Sequence, residues 1–326
     1  MKRYFVATLA GALAVPLVVA CGARSGLHDV ADEPPAPLAA PDAGGTTKKD
    51  AGKDAAPDVA KDAPNDAPAD TFIPPDAPAT KVDCTDPSTK WVYVVTLDEE
   101  LFYLDPETGK YQLVAKINCP ATFGGTPFSM AVNRKGTAFV LYSNGELFRV
   151  STKTGKCEAT PFLAGQQGFD TFGMGFATID QGPAEELYIA ATTQSGSTIS
   201  ALGIIDTTTY KVKKVGDFVP PQSGAELTGT GDGRLFAFVA NASGNGTKII
   251  QLEKATATVV AEVKLPSVSL GQGWAFAFWG GKFYLFTSPG APLLTRYDPA
   301  TGGVDELFEL PSTVVGAGVS TCAPEE

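Results

Sequence analysis

Two carboxylates, Glu226 and Asp170, are the side chains of this sequence best suited to acid–base chemistry on a substrate. Hydrolysis of a glycosidic bond needs two carboxyl groups at a defined separation, one as the acid and one as the base or nucleophile. Glu226 starts an apolar segment, and Asp170 precedes another. The corresponding places in similar segments hold Ser129, Trp274 and Ala317, so the sequence offers one clear acid and these two residues only as candidates for catalysis.

A glycine-rich stretch, AELTGTGDGRLFAFV at residues 225–239, has the composition of a phosphate-binding loop. Such a loop delivers its glycines into the N-terminus of a helix, whose free amides and dipole hold the anion. Here the glycines lead instead into RLFAFV, an apolar run rich in aromatic residues that is typical of a strand. The stretch therefore predicts a turn between two strands at Gly231, Asp232 and Gly233, rather than a nucleotide site.

Histidine and cysteine chemistry is restricted by where these residues lie. The one histidine, His28, lies in an N-terminal segment of low complexity, so a Ser-His-Asp triad or a histidine-ligated metal site is excluded from the rest of the chain. Cys21 lies at the end of the N-terminal apolar segment, which is described below as an export signal. An even number of cysteines remains, and in an exported chain this predicts two disulfides. The four are Cys84, Cys119, Cys157 and Cys322. We therefore expect neither a metal site nor a cofactor.

The first 20 residues have the features of an export signal. Lys2 and Arg3 give a positive start, and residues 5–20 are apolar but short for a membrane-spanning helix. The segment ends in Val-Val-Ala-Cys at Cys21, which resembles the lipobox of bacterial lipoproteins. The resemblance implies cleavage before Cys21 and acylation of this cysteine, which would anchor the protein to a membrane of the cell envelope. Gly22, at a position where aspartate commonly signals inner-membrane retention, favours the outer membrane, on its periplasmic face or at the surface.

Residues 21–82 are predicted to form a disordered tether, and residues 83–326 one domain. The tether consists mainly of Ala, Pro, Asp, Lys and Gly, and it buries too little apolar surface to offset its ordering entropy. The domain is long enough for a sizeable core. A formal net charge of −11, with no basic patch in the domain, argues against a nucleic-acid partner, and we expect a monomer.

Five segments of the domain repeat one pattern, in which a polar turn joins two apolar strands. Threonines in these turns are spaced 46, 54, 48 and 45 residues apart, at Thr108, Thr154, Thr208, Thr256 and Thr301. Two further strand-like segments precede each of the four later hairpins, as in GMGFAT (173–178) and ELYIAA (186–191). Periods in the forties with four strands each are typical of propeller blades. We therefore predict an all-β fold, a five-bladed β-propeller of four-stranded blades preceded by the disordered tether.

The first repeat lacks its innermost strand, and the missing piece is present at the C-terminus as VGAGVST (315–321). We therefore expect the last strand to close the ring, which also removes exposed sheet edges. Four cysteines allow three pairings, and closure favours Cys84–Cys322 because both lie beside this last strand. Cys119 is then left with Cys157. These two fall at different ends of their strands, so the chain between them would have to fold over.

The connections from each outer strand to the next inner strand lie at one end of the predicted propeller. They combine amides with aromatic rings, which suits binding of a protein or a glycan, and loops on rigid scaffolds often carry function. The candidate ligand-binding residues are Gln166, Gln167, Phe169, Asp170, Gln222, Glu226, Gln272 and Trp274. Alternatively, the polar residues serve the loops and the aromatic residues complete the core. For WAFAFW (274–279), alternation with alanine favours packing between blades.

The repeat domain resembles the YVTN, NHL and WD40-like propeller superfamily in general form, over residues 88–322. The whole chain is also similar to a group of bacterial lipoproteins that begin with Cys-Gly-Ala-Arg, as at residues 21–24, and continue with an acidic, Pro-rich tether and this domain. The resemblance implies a location and a fold. We expect a membrane-anchored envelope lipoprotein whose propeller binds or scaffolds an envelope protein or a glycan. A carboxylate-dependent glycoside hydrolase or lyase is the alternative.

Overall fold

The computed structural model describes residues 84–180, 182–192, 200–241 and 246–326. The expected signal segment, Cys21 and the tether lie outside the described residues. Within them, a short 3-10 helix, Pro87–Lys90, precedes the strands, and no helix has the length and apolar character needed to cross a membrane. The strands are β1 (Val92–Thr96), β2 (Glu100–Asp105), β3 (Lys110–Lys116), β4 (Pro127–Val132), β5 (Thr137–Tyr142), β6 (Leu147–Ser151), β7 (Cys157–Ala159), β8 (Thr171–Thr178), β9 (Glu185–Thr192), β10 (Ala201–Ile205), β11 (Val212–Asp217), β12 (Ala225–Gly229), β13 (Leu235–Ala240), β14 (Thr247–Glu253), β15 (Thr258–Leu265), β16 (Trp274–Trp279), β17 (Lys282–Thr287), β18 (Leu293–Asp298), β19 (Gly303–Glu309) and β20 (Val314–Val319).

These strands form five four-stranded antiparallel sheets that are the blades of a propeller. Blade 1 has the order β20-β1-β2-β3, and blades 2 to 5 consist of β4–β7, β8–β11, β12–β15 and β16–β19. The innermost strands, β20, β4, β8, β12 and β16, contact their neighbours around the axis. The predicted all-β, five-bladed propeller is therefore confirmed.

The C-terminal strand closes the ring as predicted. In blade 1, β20 pairs antiparallel with β1, and Val319 lies opposite Val92. Just beyond this pair, Cys84 and Cys322 form a disulfide with a Cα–Cα distance of 5.3 Å. The two ends of the domain are thus joined both by strand pairing and by a covalent bond.

The second predicted disulfide, Cys119–Cys157, is also present, with a Cα–Cα distance of 5.1 Å. The expected difficulty, that these cysteines lie at different ends, does not arise. After β3 the chain passes the start of β7, the outer strand of blade 2, before it reaches β4, the inner strand of that blade. Strand β7 is short and spans only Cys157–Ala159. The turn before β7 packs against β3, because a Cβ on Gly155 would lie 2.5 Å from that of Ala115.

The next two connections follow the same path. Between blades 2 and 3, the Gln166 side chain donates to the Tyr210 carbonyl oxygen at 3.0 Å, just before β11. Between blades 3 and 4, the Val219 amide donates to the Ala257 carbonyl at 3.2 Å, and Val219 accepts from the Val259 amide at 2.8 Å. Each connection is therefore fastened to the outer edge of the following blade by a different kind of bond.

The core consists of apolar clusters between neighbouring blades. Strand β16, with the sequence WAFAFW, shows how the period of two supplies both sides of a blade. Ala275 and Ala277 face blade 1, whereas Phe276 and Phe278 face blade 4 and contact Phe236 or its neighbours. The packing interpretation of this segment is confirmed, and small residues on one side let the blades approach closely.

Glycines bring the inner strands into backbone contact around the axis. A Cβ on Gly173 of β8 would overlap the carbonyl oxygen of Ala225 in β12, and one on Gly316 of β20 would lie 2.6 Å from the Met130 amide nitrogen of β4. Because real Cβ atoms do not approach this closely, these positions require glycine. The close approach sets the surroundings of the inner-strand residues Ser129 and Glu226.

Candidate functional site

The propeller has two ends, because successive turns of an antiparallel blade alternate between them. We call the end that holds the blade-to-blade connections the connection face. In the described residues it comprises 97–99, 117–126, 143–146, 160–170, 200, 218–224, 241, 246, 266–273, 288–292 and 310–313. The opposite end, the turn face, comprises the remaining turns, such as 133–136 and 206–211, and both ends of the domain. All candidates from the sequence belong to the connection face or to strands that begin there.

Glu226, at the second position of β12, is 5% exposed and lies inside the propeller. Its carboxylate accepts a 2.8 Å hydrogen bond from the Ser129 hydroxyl of β4, so blades 2 and 4 are linked across the blade between them. Burial raises the pKa of the Glu226 carboxyl well above its ordinary value, and the Ser129 hydrogen bond opposes part of that rise. The Glu226 carboxyl group is thus a buried polar link between two inner strands.

Asp170, the second candidate acid, has a different environment. Its side chain is exposed, and its backbone carbonyl lies beside Gly145, where an added Cβ would be 3.2 Å away. Glu226 is buried with Ser129 as its partner, so the structure gives the two acids separate surroundings.

Two of the predicted ligand-binding residues in the β7–β8 connection instead hold this connection in place. The Gln166 amide donates to the carbonyls of Leu163 and Tyr210, each at 3.0 Å, and its oxygen accepts from the Val212 amide at 3.2 Å. Phe169 is 0% exposed, and its ring packs where a Cβ on Gly203 would lie 2.7 Å away. The β10 glycine leaves room that the Phe169 ring fills, so the ring belongs to an apolar core cluster.

The remaining candidates divide into buried and exposed residues. Gln222 is buried, and its amide donates to the Pro220 carbonyl at 2.9 Å, so it stabilises its own connection rather than a ligand. Trp274 is half-buried and packs edge-on against Phe238. Gln167 and Gln272 are exposed. Of the predicted set, the exposed side chains available to a partner are thus Gln167, Asp170 and Gln272.

The connection face also presents apolar side chains that the sequence did not single out. Phe123 is 100% exposed and Leu163 is 72% exposed, the two highest values for large apolar residues in the described part of the chain. They belong to the connections on either side of the turn 143–146. Glu146 of this turn accepts from the Thr122 amide at 2.8 Å, and a Cβ on Gly145 would lie 2.6 Å from that of Ala164. We call the surface formed by Phe123, Glu146, Leu163 and Asp170 the blade 2 patch.

At the turn face, the chain 225–239 forms the turn that the sequence predicted. The Thr230 amide donates to the Arg234 carbonyl at 3.0 Å, and Gly233 has a positive φ of 89°. Asp232 is buried, accepts from the Thr230 hydroxyl and pairs with the Arg234 guanidinium at 2.7 Å. The acid and the base that gave this stretch its resemblance to a phosphate loop therefore satisfy each other.

The turn face contains a polar cavity that sequence reasoning missed. It has a volume of about 450 Å³ and is lined in part by Arg134, Lys135 and Glu185. Glu185 accepts from the Arg134 amide at 2.8 Å and from the Thr321 hydroxyl at 2.9 Å, and burial raises the pKa of its carboxyl. It thus connects blade 3 with blade 2 and with the closing end of the chain. No sequence pattern distinguishes it, because it begins an ordinary strand.

Metal ligands are not grouped in the described residues, where no three His, Cys, Asp or Glu side chains lie close enough to share an ion. The chain matches no protein-family profile and no curated protein. A solved structure described as the Dos1 propeller is 12% identical to this chain, with a TM-score of 0.38, over 72% of this chain and 71% of that one. That likeness carries no functional information.

Proposed function

We propose that this protein is a cell-envelope lipoprotein, anchored through acyl chains on Cys21, whose propeller serves as a binding module for an envelope protein or a glycan. The anchoring rests on the sequence of residues 1–21, with its positive start, apolar run and Val-Val-Ala-Cys ending. Acyl chains on one cysteine give stable anchoring when several chains insert together. The tether of residues 21–82 places the propeller away from the membrane surface.

The exposure of Phe123 and Leu163 carries the binding part of the proposal. Scattered single apolar residues are normal on a protein surface, but these two flank one turn and are the most exposed of their kind among the described residues. The connections beneath them are fastened by the Cys119–Cys157 disulfide and by the Gln166 hydrogen bonds. A rigid surface loses little conformational entropy when a partner binds, which favours affinity.

The proposal is tested with the full-length protein in a bacterial host that acylates lipoproteins. A photo-crosslinking amino acid replaces Gln167, beside the blade 2 patch, or Leu113, which is 46% exposed on the outer strand β3. We expect the protein to incorporate alkyne-palmitate and to fractionate with membranes. We also expect illumination to give a discrete crosslinked product from position 167 and none from position 113.

Cys21→Ser is the matched variant for the anchor. It should abolish palmitate labelling and release the protein from the membrane fraction. Labelling that persists in Cys21→Ser, or a wild-type protein that stays soluble, would refute the anchor. Equal crosslinking from positions 167 and 113 would refute a binding role for the connection face.

A further inference from the structure

We propose that the blade 2 patch binds a protein segment that carries apolar side chains together with Lys or Arg. The inference rests on the proposed function, since it names the partner of the same connection face. It follows from three features of the patch: its exposed apolar side chains, their fixed spacing, and the sign of the charge between them.

The apolar part of the patch is held out into water by an unfavourable backbone. Phe123 has a φ of 52°, in the left-handed region that bulky residues rarely adopt. Glycine suits this region best, but the two glycines of the segment, Gly124 and Gly125, come after Phe123. Its ring is fully exposed. Strained residues persist only where the surrounding structure fixes them, and they cluster at binding sites. Covering Phe123 and Leu163 with apolar groups would remove both from water, which favours binding.

The 143–146 turn holds these two side chains at a fixed spacing. On one side, Glu146 accepts from the Thr122 amide at 2.8 Å, and the Asn144 amide donates to the Thr122 carbonyl at 2.7 Å. On the other side, Ala164 packs directly against Gly145. Phe123 follows Thr122 and Leu163 precedes Ala164, so a partner would meet a preformed pair of apolar contacts rather than two independent loops.

The charge of the patch is negative. Glu146 and Asp170 lie between and beside the apolar side chains, and neither forms an ion pair with a base in the described residues. The segments 117–126, 143–146 and 160–170 contain no Lys or Arg. The hydrogen bond from the Thr122 amide lowers the pKa of Glu146, so its carboxylate stays ionised at neutral pH. Such a surface attracts a basic partner and repels an acidic one.

A protein segment fits this patch better than a glycan does. Carbohydrate recognition needs several free amides or hydroxyls that donate and accept hydrogen bonds around an aromatic ring. The half-buried Gln166 amide of the β7–β8 connection is already bonded through both its nitrogen and its oxygen. The Asn144 amide is bonded to Thr122 and Glu146. Apart from the exposed Gln167 amide, the patch presents apolar surface with negative charge, which matches apolar and basic side chains.

The test uses the full-length protein and three short synthetic peptides labelled with fluorescein: alternating Leu and Lys, alternating Leu and Glu, and alternating Ser and Lys. Fluorescence anisotropy gives the affinities at low and high salt. We expect the Leu/Lys peptide to bind at least about tenfold more tightly than either of the others. The double variant Phe123→Ser, Leu163→Ser should bind the Leu/Lys peptide about tenfold or more weakly, as loss of central apolar contacts does. Leu113→Ser makes the same kind of change on another surface and should leave the affinity for the Leu/Lys peptide unchanged.

Asp170→Lys tests the charge separately from folding. We expect it to weaken the Leu/Lys peptide, to strengthen the Leu/Glu peptide, and to reduce the salt dependence of Leu/Lys binding. Thermal unfolding of each variant checks that its propeller is intact. Equal affinity for the Leu/Lys and Leu/Glu peptides, or wild-type affinity in the Phe123→Ser, Leu163→Ser variant, would overturn the inference. An oligosaccharide that blocks crosslinking from position 167 while the Leu/Lys peptide does not would also overturn it, and would leave the proposed function standing.

Discussion

At the scale of single residues, Glu226 shows how the fold surrounds a carboxyl group that the sequence offers as a candidate acid. It lies at the start of an inner strand, as the sequence predicted, but it is buried and receives one hydrogen bond, from Ser129. Burying an ionised carboxylate with one neutral partner is costly, so burial raises the pKa of Glu226 well above its ordinary value. Glu226 therefore couples the stability of the propeller to pH.

The sign of this coupling gives a prediction for Glu226→Gln. Because the folded-state pKa is higher than the unfolded value, the folded protein binds the proton more tightly, and the free energy of unfolding falls as pH rises from about 4.5 through the folded pKa. Glutamine stays neutral and keeps an oxygen to accept from Ser129. We expect Glu226→Gln to raise the Tm at pH 8 by at least about 2 °C, which corresponds to about 1 kcal/mol or less in a domain of this size, and to change it little at pH 4.5.

Thermal unfolding across this pH range measures the effect, with the exposed residue Glu309 changed to Gln as the matched control. The control should show no such pH-dependent gain. Parallel curves for wild type and Glu226→Gln would show that the carboxyl group is hydrated and ionised in the folded protein, contrary to our description.

The position of Glu226 on an inner strand could be predicted, but its burial could not. Strand period and repeat alignment placed it in β12, since both depend on neighbouring residues in the chain. Its exclusion from water depends on β8 lying against β12 through Gly173, and its partner Ser129 is 97 residues away. The same holds for Phe169, whose ring fills space beside Gly203 of another strand. Such contacts between distant segments leave no period in the sequence.

At the scale of the strands, the inner glycines permit the close packing of the blades around the axis. In an ordinary strand, replacing glycine by alanine stabilises a protein modestly, because the unfolded chain loses conformational freedom. At Gly173 the added methyl group would overlap the Ala225 carbonyl of the neighbouring inner strand. Both are backbone groups of packed strands, so relief would require the strands to separate.

We therefore expect Gly173→Ala to destabilise the propeller by about 1–3 kcal/mol or more, as overpacking does. Gly290→Ala is the matched control, because no atom lies within 4 Å of a Cβ built there and its φ is not positive. The control should be neutral or slightly stabilising. Urea unfolding followed by tryptophan fluorescence measures both, and equal stability of the two variants would show that the inner strands are less closely packed than described.

Strands and connections differed in how far they could be predicted. The strand GMGFAT was predicted at 173–178 and observed as Thr171–Thr178, because alternating small and large side chains reflect a fixed period. The β7–β8 connection has no periodic pattern. Its sequence showed that it contains amides and aromatic rings, but the course of its backbone could not be predicted. Its course along the edge of the next blade depends on bonds from Gln166 to Tyr210 and Val212. As a result, the sequence predicted which segments lie at the connection face but did not single out Phe123 and Leu163 as its most exposed apolar residues.

At the scale of the whole molecule, closure determines how the propeller holds together. In a ring of blades, the first and last strands of the propeller are not joined by a continuous chain. Here that junction lies in blade 1, where β20 pairs with β1. The Cys84–Cys322 disulfide spans 238 residues at this seam, whereas Cys119–Cys157 spans 38 within the ring. The repeat count placed the last strand in the first blade and so favoured Cys84–Cys322. It left Cys119 with Cys157 by elimination, and the path that brings these two together could not be predicted.

The two disulfides should differ in their contribution to stability. In the chain-entropy account a cross-link stabilises by restricting the unfolded chain, and the effect grows with the logarithm of the loop length. For these spans it gives about 5.5 kcal/mol for Cys84–Cys322 and about 4 kcal/mol for Cys119–Cys157 as upper values. We therefore expect Cys84→Ser with Cys322→Ser to lower the free energy of unfolding by about 1–2 kcal/mol more than Cys119→Ser with Cys157→Ser. Guanidinium unfolding of the oxidised proteins measures the difference. A larger loss of unfolding free energy in the Cys119→Ser, Cys157→Ser variant would contradict this expectation. It would mean that β20–β1 pairing closes the ring without the Cys84–Cys322 disulfide, and that fixing the β3–β4 connection contributes more to stability.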